Sequence, residues 1–191
     1  MKIDLTYQLT KEKIENAVKI FNDKDKALMS TGHLGTHFDV MGKNFSLDFT
    51  ETEGIIFDVS KIGDEIKISD IELEKIREKN FVLFYTGVSE KFDYGTDDYN
   101  TFFPQLSWEL IEKLAEKKIS MIGVDMRGIR KGDEHSKADN FCAQRGIFIV
   151  ENLVNLNKLI EHKDKKFIIH TYPINIRGFS GLPSRVIAEI L

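Results

Sequence analysis

Three short apolar runs constrain the fold more than any other feature. Phe81-Val-Leu-Phe-Tyr85, Ile119-Ser-Met-Ile-Gly-Val124 and Ile147-Phe-Ile-Val150 carry apolar side chains at both odd and even positions. A strand that is apolar on both faces has to be covered on both faces, so these runs read as interior strands. Helix patterns lie between them. Thr10 can cap a helix bearing Ile14, Ala17, Val18 and Phe21, and Ser107 can cap one that starts at Trp108. A third helix, Lys137 to Arg145, stops at Gly146. Ser69 with Glu72 three residues on reads as a capping box opening a helix that carries Ile71, Leu73 and Ile76. Ile3 to Leu9, Ile55 to Val59, Lys166 to His170 and Arg185 to Ile190 read as further strands. Asn44 to Phe49 fits either a strand or the loop entering one. Strands alternating with helices imply a mixed α/β domain. Residues 1–191 show no linker, repeat or low-complexity segment and read as a single domain.

Composition narrows the function classes. Hydrophobic residues are 41% of the chain and charged residues 30%, with a net charge of −4. No basic excess argues for nucleic acid or an anionic membrane. No apolar span is long enough for a membrane helix, and no apolar leader follows Met1. The one cysteine, Cys142, excludes an intrachain disulfide and fits a reducing cytoplasm. It reads as core packing.

Two of the five histidines fall within Thr31 to Lys43, as His33-Leu-Gly35-Thr36-His37-Phe-Asp39. In an extended strand alternate side chains share a face, so His33, His37 and Asp39 would point the same way. Neutral imidazoles converging with a carboxylate suit a divalent transition metal. The competing reading is a surface strand whose polar face holds two histidines. Glu90 to Phe103, with Tyr94, Tyr99, Phe102 and Phe103, reads as a long active-site loop, its aromatics walling a pocket or packing at an oligomer interface. Asp125 ends an interior strand, where it could orient a ligand or cap the backbone. His170, at another strand end, reads as structural.

His33-x-Gly35-Thr36-His37-x-Asp39 resembles the motif H-x-G-T-H-x-D-x-P-x-H of the cyclase-like metal-dependent hydrolases. That family includes bacterial kynurenine formamidases and isatin hydrolases. The resemblance continues through Thr86-Gly87, Phe103-Pro104-Gln-Leu-Ser107, Gly123-Val-Asp125, Glu151-Asn-Leu153-Val-Asn155-Leu156 and the Gly-rich loop Arg177-Gly178 to Pro183. It implies a swivelling β/β/α fold, assembly as a homodimer or higher homo-oligomer, and one or two divalent ions, zinc or manganese. It also implies opening of amides or cyclic amides by metal-activated water. On the matched positions, His33, His37, Asp39 and Glu151 would be metal ligands.

The sequence departs from the family pattern at three places. The histidine expected twelve residues before Glu151 is Asp139, which a carboxylate-tolerant ion such as manganese would accept as a ligand. His135, one helical turn earlier, is an alternative ligand, although it reads better as a solvated loop histidine. The motif's proline is Met41, and its last histidine, a proton relay in the family, is Lys43. Lys43 could act as a depressed-pKa base, hold a substrate carboxylate, stabilise an oxyanion or simply be a surface lysine.

The expectation is therefore a cytoplasmic metal-dependent hydrolase that cleaves a carbon–nitrogen bond of a small amide, formamide or lactam. Glu151, Asp139 or Lys43 would move the proton. The alternatives are a family member that binds metal or a small molecule without turnover, and a lyase or isomerase that uses the ion as a Lewis acid.

Overall fold

The computed structural model, which describes residues 1–191, sets the three apolar runs side by side. The chain begins with β1 (Lys2–Asp4), α1 (Lys11–Lys19), α2 (Lys24–Ser30) and β2 (His37–Asp39). It continues through β3 (Glu51–Asp58), β4 (Glu65–Ile66), β5 (Phe81–Tyr85), α3 (Val88–Lys91), α4 (Asp97–Thr101) and β6 (Gln105–Leu106). It ends with α5 (Trp108–Glu116), β7 (Met121–Val124), α6 (His135–Gln144), β8 (Phe148–Glu151), α7 (Leu156–Ile160), β9 (Phe167–Pro173) and β10 (Gly181–Ile190).

β3, β5, β7 and β8 run parallel, in that spatial order. β2 pairs antiparallel with β8, and β10 pairs antiparallel with β2. β9 pairs antiparallel with both β10 and β3. The sheet therefore closes on itself, with β1 lying along β10 at one edge. Closure leaves few strand edges open to pair with another chain. β10 achieves it by dividing its length. Gly181–Pro183 pairs with β2, and Ser184–Ile190 pairs with β9.

The interior strands bury both faces, as their sequence requires. Val82, Phe84, Ile122, Val124 and Ile149 meet Leu110 and Leu114 of α5 and Ala138 and Cys142 of α6. Phe81, Leu83, Met121, Phe148 and Val150 point the other way, toward Phe38, Ile169 and Val186. Each fully buried leucine or phenylalanine contributes roughly 1.5–3 kcal/mol against an exposed one. The caps read from sequence are in place, with Thr10 accepting from Lys13 N at 3.3 Å and Ser107 from Leu110 N at 3.2 Å. Cys142 is 1% exposed. No helix is long and apolar enough to cross a membrane.

Several local expectations are corrected. No α-helix follows Ser69. The segment winds through two 3-10 turns, Ile68–Asp70 and Leu73–Lys75, with Ile71 extended between them. The Asp70 carboxylate takes the Lys67 N–H at 2.7 Å, and Ile66 and Ile76 are buried. Stiff β-branched side chains favour this extended strap over a helix. Asp23 caps α2, a helix the sequence reading did not include, through the amides of Asp25 and Lys26. Glu90 to Phe103 is not one loop either, since it holds the end of α3 and all of α4. Asn44 to Phe49 is a loop with a 3-10 turn at Leu47–Phe49.

Candidate metal centre

β2 and β8 build the floor of the site. Phe38 and Val150 face the core, so His37, Asp39 and Glu151 share the opposite face of the paired strands. His37 and Glu151 stand directly opposite one another in the ladder, with Nε2 and Oε2 3.6 Å apart. His33 is not in the strand. It ends the 3-10 turn Thr31–His33, and Gly35, at φ +61°, turns the chain into β2. The three side chains still converge, with Asp39 Oδ1 3.1 Å from His33 Nδ1 and 3.5 Å from His37 Nε2.

α6 supplies the other half. It starts at His135 rather than Lys137, which puts His135 and Asp139 on one helix face. His135 Nε2 lies 3.3 Å from Asp139 Oδ2 and 3.6 Å from Glu151 Oε1. Reading His135 as a solvated loop residue is thereby corrected. The ligand atoms form two sets, His33/His37/Asp39 and His135/Asp139/Glu151, and within each set they lie within 4.8 Å of one another. The contact between His37 and Glu151 joins the two.

The donor chemistry fits divalent ions. Asp39 Oδ2, Asp139 Oδ1 and Glu151 Oε1 are buried without a hydrogen-bond partner. Orphaned buried carboxylate oxygens are costly unless a cation meets them. Burial, and then the charges of Asp39 and Asp139, push the Glu151 carboxyl well above its ordinary range. Burial and Asp39 raise Asp139 to about 8. Burial also acts to raise Asp39, but the His37 and His33 imidazoles beside it hold it far below the usual carboxylate range. His37 Nδ1 donates to the Gly35 carbonyl at 3.0 Å, and His135 Nδ1 donates to the Arg130 carbonyl at 3.2 Å. A backbone acceptor at Nδ1 leaves the Nε2 lone pair free for an ion, the arrangement expected around a metal.

A second layer, unread in the sequence, steadies this first one. Asn152 Nδ2 donates to the same Gly35 carbonyl at 2.9 Å, and the Tyr99 hydroxyl donates to Asn152 Oδ1 at 2.7 Å. The Gly35 N–H donates to the Tyr94 hydroxyl at 2.9 Å, and His33 Nε2 lies 2.8 Å from Ser180 Oγ. Asn152 is adjacent to Glu151, which was the one signal that could have flagged it.

Lys43 is not brought to the cluster. Met41 at φ +45° and Gly42 at φ +77° form a tight reversal closed by the Lys43 N–H on the Val40 carbonyl at 2.8 Å. Lys43 emerges exposed and does not line the cavity. Proline cannot adopt a positive φ, so this turn also accounts for the motif's missing proline. Asp125 accepts from Thr86 N, Thr86 Oγ1 and Gly87 N at 2.9, 2.6 and 2.8 Å, which makes it the cap of the Thr86-Gly87 strand end. His170 pairs with Glu189 at 2.9 Å, away from the centre.

The cluster opens into a cavity of about 990 Å³, lined among others by His33, His37, Glu151, Tyr94 and Tyr99. A closed α/β sheet that gathers three imidazoles and three carboxylates, of which His33, His37 and Glu151 line the cavity, defines a protein with groups that could bind a metal. Residues 3–130 match the family model described as "Putative cyclase", and the chain belongs to that family. No curated protein matches it. Among solved structures it is similar to isatin hydrolase A from Labrenzia aggregata bound to benzyl benzoate, with a TM-score of 0.75 and 20% identity. That likeness covers 98% of this chain and 93% of the other. It is also similar to a predicted metal-dependent hydrolase from Bacillus stearothermophilus, with a TM-score of 0.71 and 21% identity over 98% and 97% of the two chains. A potential metal-dependent hydrolase with cyclase activity gives a TM-score of 0.72 and 22% identity over 98% and 96%. At these identities the likeness is one of fold.

Proposed function

We propose that this chain is a metal-dependent hydrolase acting on a carbon–nitrogen bond of a small amide, formamide or lactam. The observation that carries the reading is the pair of three-ligand sets joined through His37 and Glu151 at the end of a substrate-sized cavity. His33, His37 and Asp39 would hold one ion, and His135, Asp139 and Glu151 would hold a second or share the first. Zinc or manganese suits the mixed nitrogen and oxygen donors. An ion here supplies Lewis acidity, which lowers the pKa of water and polarises a carbonyl. The structural neighbours named above, hydrolases by description, support the same reading.

The chain's own residues do the rest. Gly35 and Asn152 fix the His37 ring, so Nε2 is presented in one orientation. Glu151, which lines the cavity, or Asp139 beside it would take up a proton and pass it to a leaving nitrogen. Tyr94 and Tyr99 wall the cavity and exclude water from one side. The proposal includes a homodimer or higher homo-oligomer and a cytoplasmic location. The lone buried cysteine supports the second, and sedimentation of the purified protein tests the first.

The test is turnover of a panel of formamides, lactams and lactones by zinc- or manganese-loaded protein, with His37→Ala alongside. Loss of both metal and turnover in His37→Ala is the expected result. A second reading, metal binding without turnover, is favoured by one observation: Lys43, at the motif position of the proton-relay histidine, is exposed and does not line the cavity. Bound metal in the wild type with no turnover of any panel member would establish that reading instead.

A further inference from the structure

His135 is the first residue of α6, and Glu134 before it gives the helix no side-chain cap. A start of this kind is weakly fixed by the helix itself. A metal ligand placed there needs a restraint from elsewhere.

Arg130 supplies it from two sides. Its carbonyl accepts from His135 Nδ1 at 3.2 Å, while Nε2 of the same ring reaches Asp139 and Glu151. Its guanidinium grips Glu134, the residue next to His135, from Nε at 2.9 Å and also from Nη2. Nη1 donates to Glu65 Oε1 of β4 at 3.0 Å and to the Leu106 carbonyl of β6 at 2.9 Å. Trp108 Nε1 donates to the other Glu134 oxygen at 3.1 Å, and its ring centroid lies 5.8 Å from the guanidinium carbon. Arg130 is only 8% exposed. A cation buried to that extent is costly unless paired, and here two carboxylates and a carbonyl pair it. The planar fork of arginine lets one side chain meet all three partners in a single geometry.

The backbone around Arg130 is fixed as well. The Leu106 N–H donates to the Ile129 carbonyl at 2.9 Å, and the Lys131 N–H donates to Gln105 Oε1 at 2.8 Å. Both neighbours of Arg130 are thus tied to β6, and the carbonyl between them cannot swing away without breaking those bonds. A Cβ at Gly128 would lie 2.4 Å from His135 Nδ1 and 3.3 Å from the Arg130 carbonyl oxygen, so only glycine leaves room for this contact.

We infer that Arg130 is a positioning residue of the metal centre. It sets His135 as a ligand by fixing the carbonyl that orients the ring and the turn from which α6 starts. Arg130 does not line the cavity, so it acts through His135 and not on a substrate. The inference rests on the metal reading of the site and is independent of whether an amide is hydrolysed.

The test is a double-mutant cycle in zinc and manganese affinity, read by competition against a chromophoric chelator, with thermal melts of every variant in parallel. Arg130→Met should weaken binding by about tenfold or more, the scale of losing an outer-shell partner. In a His135→Ala background the same substitution should cost nothing further, because the ligand it positions is gone. Arg130→Lys should recover part of the affinity, since an ammonium can meet Glu134 without forking to Glu65 and Leu106. If Arg130→Met does not fold, Glu134→Gln carries the cycle, with a smaller loss that likewise vanishes in His135→Ala. Wild-type affinity in the variant tested would overturn the inference and leave the metal reading standing. So would an equal loss with and without His135, the result expected of a merely structural arginine. Full affinity in His135→Ala would remove His135 from the ligand set and overturn the inference on that ground. A wild type that binds neither ion would overturn the metal reading and the inference together.

Discussion

His135 and Asp139 stand one turn apart on α6, with Nε2 and Oδ2 separated by 3.3 Å, and both face Glu151 of the neighbouring strand. α6 thus carries an imidazole one turn before position 139, within reach of both carboxylates. Substituting His135→Ala should weaken metal binding by at least about tenfold, since loss of even an outer-shell partner costs roughly 10–100-fold. Competition against a chromophoric chelator measures it. Wild-type affinity in the variant would remove His135 from the ligand set.

Metal removal should destabilise the protein in a pH-dependent way. The folded-state pKa of Asp139 is raised to about 8 by burial and by Asp39, above its unfolded value, and Glu151 is raised as well. A raised pKa contributes stability that is present below the unfolded pKa and lost as pH climbs through the folded one. The melting temperature of chelator-treated protein should therefore fall between about pH 5 and about pH 8, while metal-loaded protein changes less. Thermal melts with and without chelator across that range check it, and parallel curves would contradict it.

Gly128 and Gly42 offer a controlled pair. Both have positive φ, +81° and +77°, so alanine strains the backbone at either. A Cβ on Gly128 would come within 2.4 Å of His135 Nδ1, whereas one on Gly42 meets nothing within 4 Å. Gly42→Ala should cost about 1 kcal/mol of stability and leave metal affinity intact. Gly128→Ala should cost more and also weaken the ion, because the His135 ring must move. Denaturant melts and metal titrations of both variants separate strain from crowding.

Much of this was legible in the sequence for a physical reason. The interior strands announced themselves because a strand covered on both faces must be apolar throughout, as Phe81–Phe84 is. His37 and Asp39 were legible because strand alternation fixes their common face, whereas His33 reaches them by a turn that alternation does not describe. Glu151 and Asp139 could be placed only through the resemblance, since Glu151 meets His37 by β8 pairing with β2 and Asp139 arrives on a separate helix, α6. His135 was misread because two residues at a helix start decide which face it occupies, and helix starts are poorly marked without a capping side chain. The place of Lys43 stayed open in the sequence, because it depends on a turn conformation at Met41 that the residue type does not advertise.

The division of β10 between β2 and β9 has a consequence for the order in which the chain assembles. His33 rests against Ser180, 147 residues further on, and β2 has no partner on one side until Gly181–Pro183 is present. During synthesis the first imidazole pair leaves the ribosome well before the strand that holds it in register. Long-range pairings of this kind fold slowly and late. Metal capture should accordingly be a terminal event in the protein's maturation, with a nascent chain lacking β10 unable to retain an ion that the finished fold keeps.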